Sequence, residues 1–100
     1  MSTLNSLDNV THFIWDRYNY KKSWVKHQVA VEECEEVFED PRVALFPDRI
    51  HSTTEERWVV FGTTKNKRQL SIAFTVRENG IRVISARPMS RKERRIYEKI

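Results

Sequence analysis

The side chains of this sequence that could do chemistry are mostly arginines, together with a few groups that can carry a proton. Three arginines, Arg77, Arg82 and Arg87, surround one predicted hairpin near the end of the chain. Guanidinium groups can hold phosphate through paired hydrogen bonds. The possible proton carriers are Lys26, His27, Glu55, Glu56 and Tyr97.

Such a set suits cleavage of RNA without a metal ion. RNA can be cleaved by its own 2′-hydroxyl, which needs a base for that hydroxyl, an acid for the leaving oxygen and cations for the phosphate charge. A histidine titrates near neutral pH, so His27 is a candidate general acid or base. It could instead complement the dipole of a helix end, and Tyr97 could anchor the last helix. Glu55, Glu56 and Arg57 could be an ordinary surface charge cluster.

Several other kinds of site lack support. His12, His27 and His51 lie far apart, and the single cysteine, Cys34, has no partner at ligand spacing, so no metal is expected. Two glycines cannot build a loop that cradles phosphate, and no cofactor is expected. No stretch is apolar enough to span a membrane. The first dozen residues lack the features of a signal peptide, so the cytoplasm is the expected location.

The charges are unevenly distributed. Residues 31–58 contain nine acids against three Lys/Arg, whereas residues 81–100 contain seven Lys/Arg against two acids. A basic end favours a nucleic acid or an acidic protein as partner. A solvated surface helix has the same composition, so both interpretations remain open at this point.

The chain is predicted to form one α+β domain over residues 12–100, after a flexible segment at residues 1–11. Cys34 has the spacing of a packing residue in the second helix. The last four strands should form an antiparallel meander, with the helices on one sheet face and the other face free for a ligand. The predicted elements are a strand at 12–16, a helix at 17–28 capped by Asp16, a helix at 31–40, strands at 43–46, 57–63, 69–76 and 81–87, and a helix opened by the capping box of Ser90 and Glu93.

The turn between the last two strands predicts a register. Asn79 and Gly80 are typical central residues of a type I′ turn. This turn would pair Arg77 with Arg82 and would leave Arg87 at the strand end on the opposite face. Two opposed arginines repel each other unless an anion or a carboxylate lies between them. They could also splay into solvent.

Taken in order, the motifs FIWD, KH, EEVFEDP, EERWVVFG, FTVR, RVISAR and SRKERRIYE resemble the BrnT family of type II toxins. The resemblance covers about residues 12–98. It implies a RelE-like fold, with an antiparallel sheet of four to five strands, two N-terminal helices and one C-terminal helix packed on it. It also implies a metal-independent endoribonuclease toxin that inhibits translation. The implied partners are RNA, a BrnA-like antitoxin, and operator DNA reached only through that antitoxin.

The resemblance also assigns roles to individual positions. Arg77 and Arg87 are the expected phosphate contacts, His27 is the expected general acid or base, and Tyr97 is expected to orient a base or stack on it. The other positions that match the catalytic motifs are Lys26, Glu55 and Arg57. The expected RNA- or antitoxin-binding residues are Arg82, Arg91, Lys92, Arg94 and Arg95.

The chain departs from the family pattern at four positions. Gln28 stands where the family has a glycine, which would end the helix in the left-handed conformation. Asn19 replaces a lysine, Ser23 an asparagine and Met89 an alanine. A non-catalytic module is therefore the alternative to the enzyme. It would be a degenerate toxin that binds nucleic acid or acts as an antitoxin-bound co-repressor.

Overall fold

A computed structural model describes residues 10–51 and 54–100; residues 1–9, most of the predicted flexible segment, lie outside this part of the chain. The elements are β1 (His12–Ile14), α1 (Lys22–His27), α2 (Val31–Val37), β2 (Ala44–Pro47), β3 (Arg57–Thr63), β4 (Gln69–Arg77), β5 (Gly80–Pro88) and α3 (Arg91–Glu98). They form a five-stranded sheet in the order β1-β5-β4-β3-β2. β1 runs parallel to β5, and the other pairs are antiparallel. The predicted α+β fold, with its meander, two N-terminal helices and one C-terminal helix, is confirmed.

The main core lies between one face of the sheet and α2. Leu70, Ile72 and Phe74 of β4 are fully buried, as their alternation predicts, and they cluster with Cys34 and Val37 of α2. The packing role of Cys34 is confirmed, and burial raises the pKa of its thiol to about 12.

A second, smaller core covers part of the opposite sheet face. Phe61 points to this face because it follows the core residue Val60 in an extended strand. It clusters with Ala44, Met89 and Tyr97, which brings α3 onto this side of the sheet. The expectation that all helices lie on one face is therefore wrong. The hairpin end of the second face stays clear of α3.

The β4–β5 hairpin has a different register from the predicted one. The residues with positive φ are Glu78 (49°) and Asn79 (65°), so these two form the turn and Arg77 pairs with Gly80. A Cβ atom on Gly80 would lie 2.7 Å from side-chain atoms of β1. The glycine is therefore needed for the close approach of β1, and it does not supply the left-handed turn conformation.

The segment before α1 is a turn and not the first part of the predicted helix at 17–28. The helix begins at Lys22, with Lys21 as its N-cap. The prediction that Asp16 caps the helix is wrong. Its carboxylate instead accepts a hydrogen bond from the backbone N–H of Tyr18, at 2.8 Å, and closes the turn.

Two polar side chains attach this segment to the edge of β5. The amide of Asn19 donates to the carbonyl of Val83 at 2.9 Å, and the hydroxyl of Ser23 accepts from the N–H of Ala86 at 2.8 Å. Both side chains are buried. They satisfy backbone groups that β1 is too short to reach, so these two departures from the family pattern have a structural role here.

The end of α1 keeps the left-handed form although it lacks a glycine. Gln28 has φ 53° and ψ 41°. Its N–H donates to the carbonyl of Trp24, and the N–H of Val29 donates to the carbonyl of Ser23, which together close the helix. The guanidinium of Arg68 also donates to the carbonyl of Gln28 at 2.9 Å.

Candidate functional site

Three arginines lie side by side on the open part of the second sheet face. Arg57 of β3 pairs with Thr75 of β4, and Thr75 pairs with Arg82 of β5. Directly paired residues point to the same side of a sheet. Arg77 follows Thr75 by two residues and points to that side as well. The predicted pairing of Arg77 with Arg82 is wrong, yet the true register still gathers both arginines, with Arg57 beside them.

Carboxylates hold two of these arginines in place. Arg77 donates two hydrogen bonds to Glu55, at 2.7 and 3.0 Å, and this pairing lowers the pKa of the Glu55 carboxyl. Arg82 donates to Asp16 at 2.6 Å. The pKa of Asp16 is also lowered, first by the hydrogen bond from the N–H of Tyr18 and then by Arg82. The arginines are therefore positioned before any ligand arrives.

These residues surround a cleft of about 280 Å³. One wall comes from the segment around α1, which contributes Tyr18, Asn19 and Lys22. The lining carries four cations and the carboxylate of Glu55. Even with Asp16 paired to Arg82 the cations are in excess, so the cleft attracts anions. The lining residues are Tyr18, Asn19, Lys22, Glu55, Arg57, Thr75, Arg77, Arg82, Val83 and Ile84.

The cleft brings together four of the residues predicted from the sequence, namely Glu55, Arg57, Arg77 and Arg82. It does not bring in the Lys-His pair. Lys26 and His27 are exposed at the far end of α1 and do not line the cleft. Lys26 follows Lys22 by one helical turn and so lies on the same side of α1.

Arg87 lies farther along the same sheet face. It pairs with Ser71 and therefore lies on the same sheet face as Thr75. The predicted register placed Arg87 on the opposite face, with the main core, and this prediction is wrong. Ser71 and Thr75 are four residues apart, which is about 13 Å along a strand. The guanidinium of Arg87 donates to both oxygens of Glu93, at 2.6 and 2.9 Å. This pairing lowers the pKa of Glu93.

Tyr97 lies inside the second core. Its side chain is 3 % exposed, and its hydroxyl donates to Asp40 and contacts the hydroxyl of Thr63 at 2.8 Å. Burial, followed by the bond to Asp40, raises the pKa of Tyr97. The ring therefore anchors α3 in this structure, which is the structural interpretation that the sequence left open.

The remaining basic residues predicted for binding form a second surface on α3. Their side chains are exposed, while Ser90 and Glu93 form the predicted capping box at the start of the helix. The Ser90 hydroxyl accepts from the N–H of Glu93, and the Glu93 carboxylate accepts from the N–H of Ser90. This helix presents Arg91, Lys92, Arg94 and Arg95 to solvent.

Sequence reasoning did not identify Lys22 and Tyr18, although both line the cleft. The available signal was the composition of their segment, because residues 17–31 contain four Lys/Arg and no Asp or Glu.

Within residues 10–51 and 54–100, no helix has the length and apolar content needed to span a bilayer. In the same ranges, no three His, Cys, Asp or Glu side chains are grouped as metal ligands would be.

The fold and the cleft define a small α+β protein with a cationic cleft on one face of its sheet. A family model described as the ribonuclease toxin BrnT, of type II toxin–antitoxin systems, matches residues 15–93. The chain therefore belongs to the BrnT family, as its motifs indicated. A family of this type consists of ribonuclease toxins that are paired with an antitoxin. A search of individually curated proteins found no match.

Proposed function

We propose that this chain is an endoribonuclease toxin that cuts RNA in the arginine-lined cleft without a metal ion and thereby inhibits translation. The observation that carries the proposal is that Lys22, Arg57, Arg77 and Arg82 come from four elements and line one cleft together with the carboxylate of Glu55. Family membership supports ribonuclease activity. RNA and translation are cytoplasmic, so the activity requires the chain to act in the cytoplasm.

Glu55 is the proposed base. It takes the proton of the RNA 2′-hydroxyl, whose oxygen attacks the neighbouring phosphorus. The bond from phosphorus to the 5′-oxygen breaks, and this oxygen takes a proton, which leaves a 2′,3′-cyclic phosphate and a 5′-hydroxyl. Arg57, Arg77 and Arg82 stabilise the charge that develops on the phosphate oxygens. Because Arg77 lowers the pKa of Glu55, the carboxylate stays ionised over a wide range of pH, but it is also a weaker base. The proton transfer therefore depends on stabilisation of the phosphate charge by the arginines.

The proton for the leaving 5′-oxygen has two candidate sources. Lys22 is an ammonium group that lines the cleft. His27, which the family motif suggests, lies outside the lining, with Lys26 beside it. The geometry favours Lys22. Single-turnover cleavage by Lys22→Ala and His27→Ala variants decides between them. Loss of the true proton donor should lower the rate of cleavage by about 100-fold or more.

Arg87 is proposed to hold a phosphate farther along the RNA. It shares the sheet face of the cleft, at about 13 Å from the Thr75 row. An incoming phosphate would compete with Glu93 for its guanidinium. This contact should strengthen binding of longer RNA more than it affects the chemical step.

The basic surface of α3 is proposed to receive a BrnA-like antitoxin. The four exposed cations there are matched by few acids, so an acidic segment of the antitoxin would fit them. Another part of the antitoxin would bind operator DNA, and the toxin would reach DNA only through it. The salt dependence of the affinity between toxin and antitoxin tests this, because Arg91→Gln combined with Arg95→Gln should lower its slope.

The decisive experiment is cleavage of a defined RNA by the purified chain in excess EDTA, beside the Arg77→Gln variant. We expect metal-independent cleavage with cyclic-phosphate ends, reduced in the variant by about 100-fold or more. Intact RNA with the folded wild-type chain, or cleavage that stops in EDTA, would contradict the proposal.

The alternative is a non-catalytic module that binds nucleic acid or acts as an antitoxin-bound co-repressor. The observation that favours it is that Lys26 and His27 do not line the cleft. Phosphate contacts alone would still produce salt-sensitive binding. The same assay separates the two, because binding of RNA without any cleavage would support this alternative.

A further inference from the structure

Aromatic and basic side chains are exposed together beside the cleft. The segment at residues 17–31 contains Arg17, Lys21, Lys22 and Lys26 and has no acid until Glu32. Besides Tyr18, which lines the cleft, two of its rings are about half exposed, with exposed fractions of 55 % for Tyr20 and 54 % for Trp24. Exposed apolar side chains that are grouped, as these two rings are, suggest a binding role.

A second depression of about 400 Å³ holds these two rings. Tyr20, Lys21 and Trp24 form one wall, and Ala30, Val31 and Glu32 at the start of α2 form the other. The cleft is lined by Tyr18 and Lys22 of the same short segment. The two depressions therefore flank one segment, whose width as a helix is about 10 Å.

The fold does not depend on these rings for its attachment. The segment is held to β5 by Asn19 and Ser23, whose side chains are buried and bond to the backbone of that strand. Tyr20 and Trp24 belong to neither of the two core clusters. Their exposure leaves apolar area in water that a ligand could cover.

We propose that Tyr20 and Trp24 form a stacking platform for bases of single-stranded RNA that leaves the cleft. Lys21, which lines the same depression, holds the backbone of that RNA while the rings stack on its bases. Aromatic rings combined with cations are the common means of binding single strands without reading their sequence. The one carboxylate in the lining, Glu32, lies on the wall opposite the rings and Lys21. This inference rests on the proposed function, because it extends the path of the same substrate.

An acidic antitoxin peptide is the competing ligand for such a surface. Cations alone would suit a peptide and an RNA equally well. The two half-exposed rings in one groove favour flat bases, since every base offers a face on which a ring can stack.

The test measures binding of 2′-O-methyl RNA, which cannot be cut by its own 2′-oxygen. The probes are a dinucleotide and an oligomer of about 12 nucleotides, within the range that single-strand binding sites cover. The protein variants are Trp24→Ala and Trp24→Phe. Val25→Ala is the matched control, because Val25 is 70 % exposed on the same helix and lines neither depression.

We expect the wild-type chain to bind the oligomer more tightly than the dinucleotide. Trp24→Ala should raise the Kd for the oligomer by about 10-fold, as loss of one stacked base does. Trp24→Phe should retain most of the affinity, and Val25→Ala should match the wild type. A circular dichroism spectrum checks that each variant is folded.

The outcomes separate this inference from the proposed function. If Trp24→Ala binds the oligomer as tightly as the wild type, the platform is wrong, whereas cleavage of RNA by the wild type still supports the cleft. If Trp24→Ala loses only its affinity for an antitoxin, the surface is a protein interface and the platform is again wrong. If the wild type binds the oligomer through Trp24 but never cleaves RNA, the platform stands and the proposed catalysis falls.

Discussion

Removal of one hydroxyl, by Tyr97→Phe, separates the structural role of Tyr97 from a role in RNA cleavage. The substitution keeps the aromatic ring and deletes its bonds to Asp40 and Thr63. Asp40 would retain two other donors, the N–H groups of Arg42 and Thr63, at 2.9 and 2.8 Å. The Asp40 carboxylate therefore loses one hydrogen bond and keeps two others.

The expected loss of stability follows from these contacts. A hydrogen bond to a charged group contributes about 1.5–3 kcal/mol, and one between neutral hydroxyls contributes about 1 kcal/mol. Asp40 can relax toward its remaining donors, so we expect the free energy of unfolding to fall by about 2–3 kcal/mol. For a domain of this size, that lowers Tm by roughly 10–20 °C.

The assay is urea denaturation followed by circular dichroism, at neutral and at acid pH. Burial alone would raise the pKa of Asp40, but the bonds from Tyr97 and from the two N–H groups lower it below its ordinary value of 3.8. A carboxyl with a lowered pKa stabilises the fold above its unfolded pKa, and this contribution is lost as pH falls through the folded pKa. The difference between wild type and variant should therefore shrink below about pH 4.

Two controls test whether the loss of stability comes from the bonds of the Tyr97 hydroxyl. Tyr18→Phe removes a surface hydroxyl that accepts a hydrogen bond from the neighbouring Arg17 at 2.9 Å, so the free energy of unfolding should change by less than about 0.5 kcal/mol. A double-mutant cycle with Asp40→Asn should show coupling with Tyr97. The reasoning is refuted if Tyr97→Phe is as stable as the wild type but no longer cleaves RNA, because Tyr97 would then act on the substrate.

Three further predictions follow from the structure. Arg77→Gln should raise the pKa of Glu55 toward its ordinary value of 4.5, so the acid limb of the pH–rate profile should move to higher pH; an unmoved limb would argue against Glu55 as the base. Arg87→Gln should lower the free energy of unfolding by only about 0.5–1 kcal/mol, because the ion pair of Arg87 with Glu93 is partly exposed to solvent. Thermal denaturation measures this, and a variant that is already unfolded at room temperature would contradict it. Cys34 should resist alkylation at pH 8 in the folded chain and react once urea unfolds it, since burial raises its pKa to about 12; rapid reaction without urea would disprove its burial.

Local patterns of the sequence predicted the elements well. The alternation of β4 identified its core face, and the strand at 57–63 has the predicted bounds. The capping box of Ser90 and Glu93 forms as expected. These features depend on residues that are only a few positions apart, so a short stretch of sequence is enough to predict them.

The hairpin shows where local reasoning fails. Asn79-Gly80 is a strong turn signal by itself, yet Glu78 and Asn79 occupy the turn. Gly80 is needed beside β1, which lies more than 60 residues earlier in the chain, and a side chain there would collide with that strand. A long-range contact outweighed the local preference, and it shifted the register of both arginines.

The sequence alone determined the fold class, the family resemblance and the supply of arginines, because residue order and periodicity suffice for these. Only the tertiary structure decided which cations share a cleft with Glu55, that α3 covers part of the face expected to be free, and that Lys22 lines the cleft while His27 does not. The physical reason is distance along the chain. Convergence depends on strand register and on the Asn19 and Ser23 bonds to β5, which join residues more than 60 positions apart.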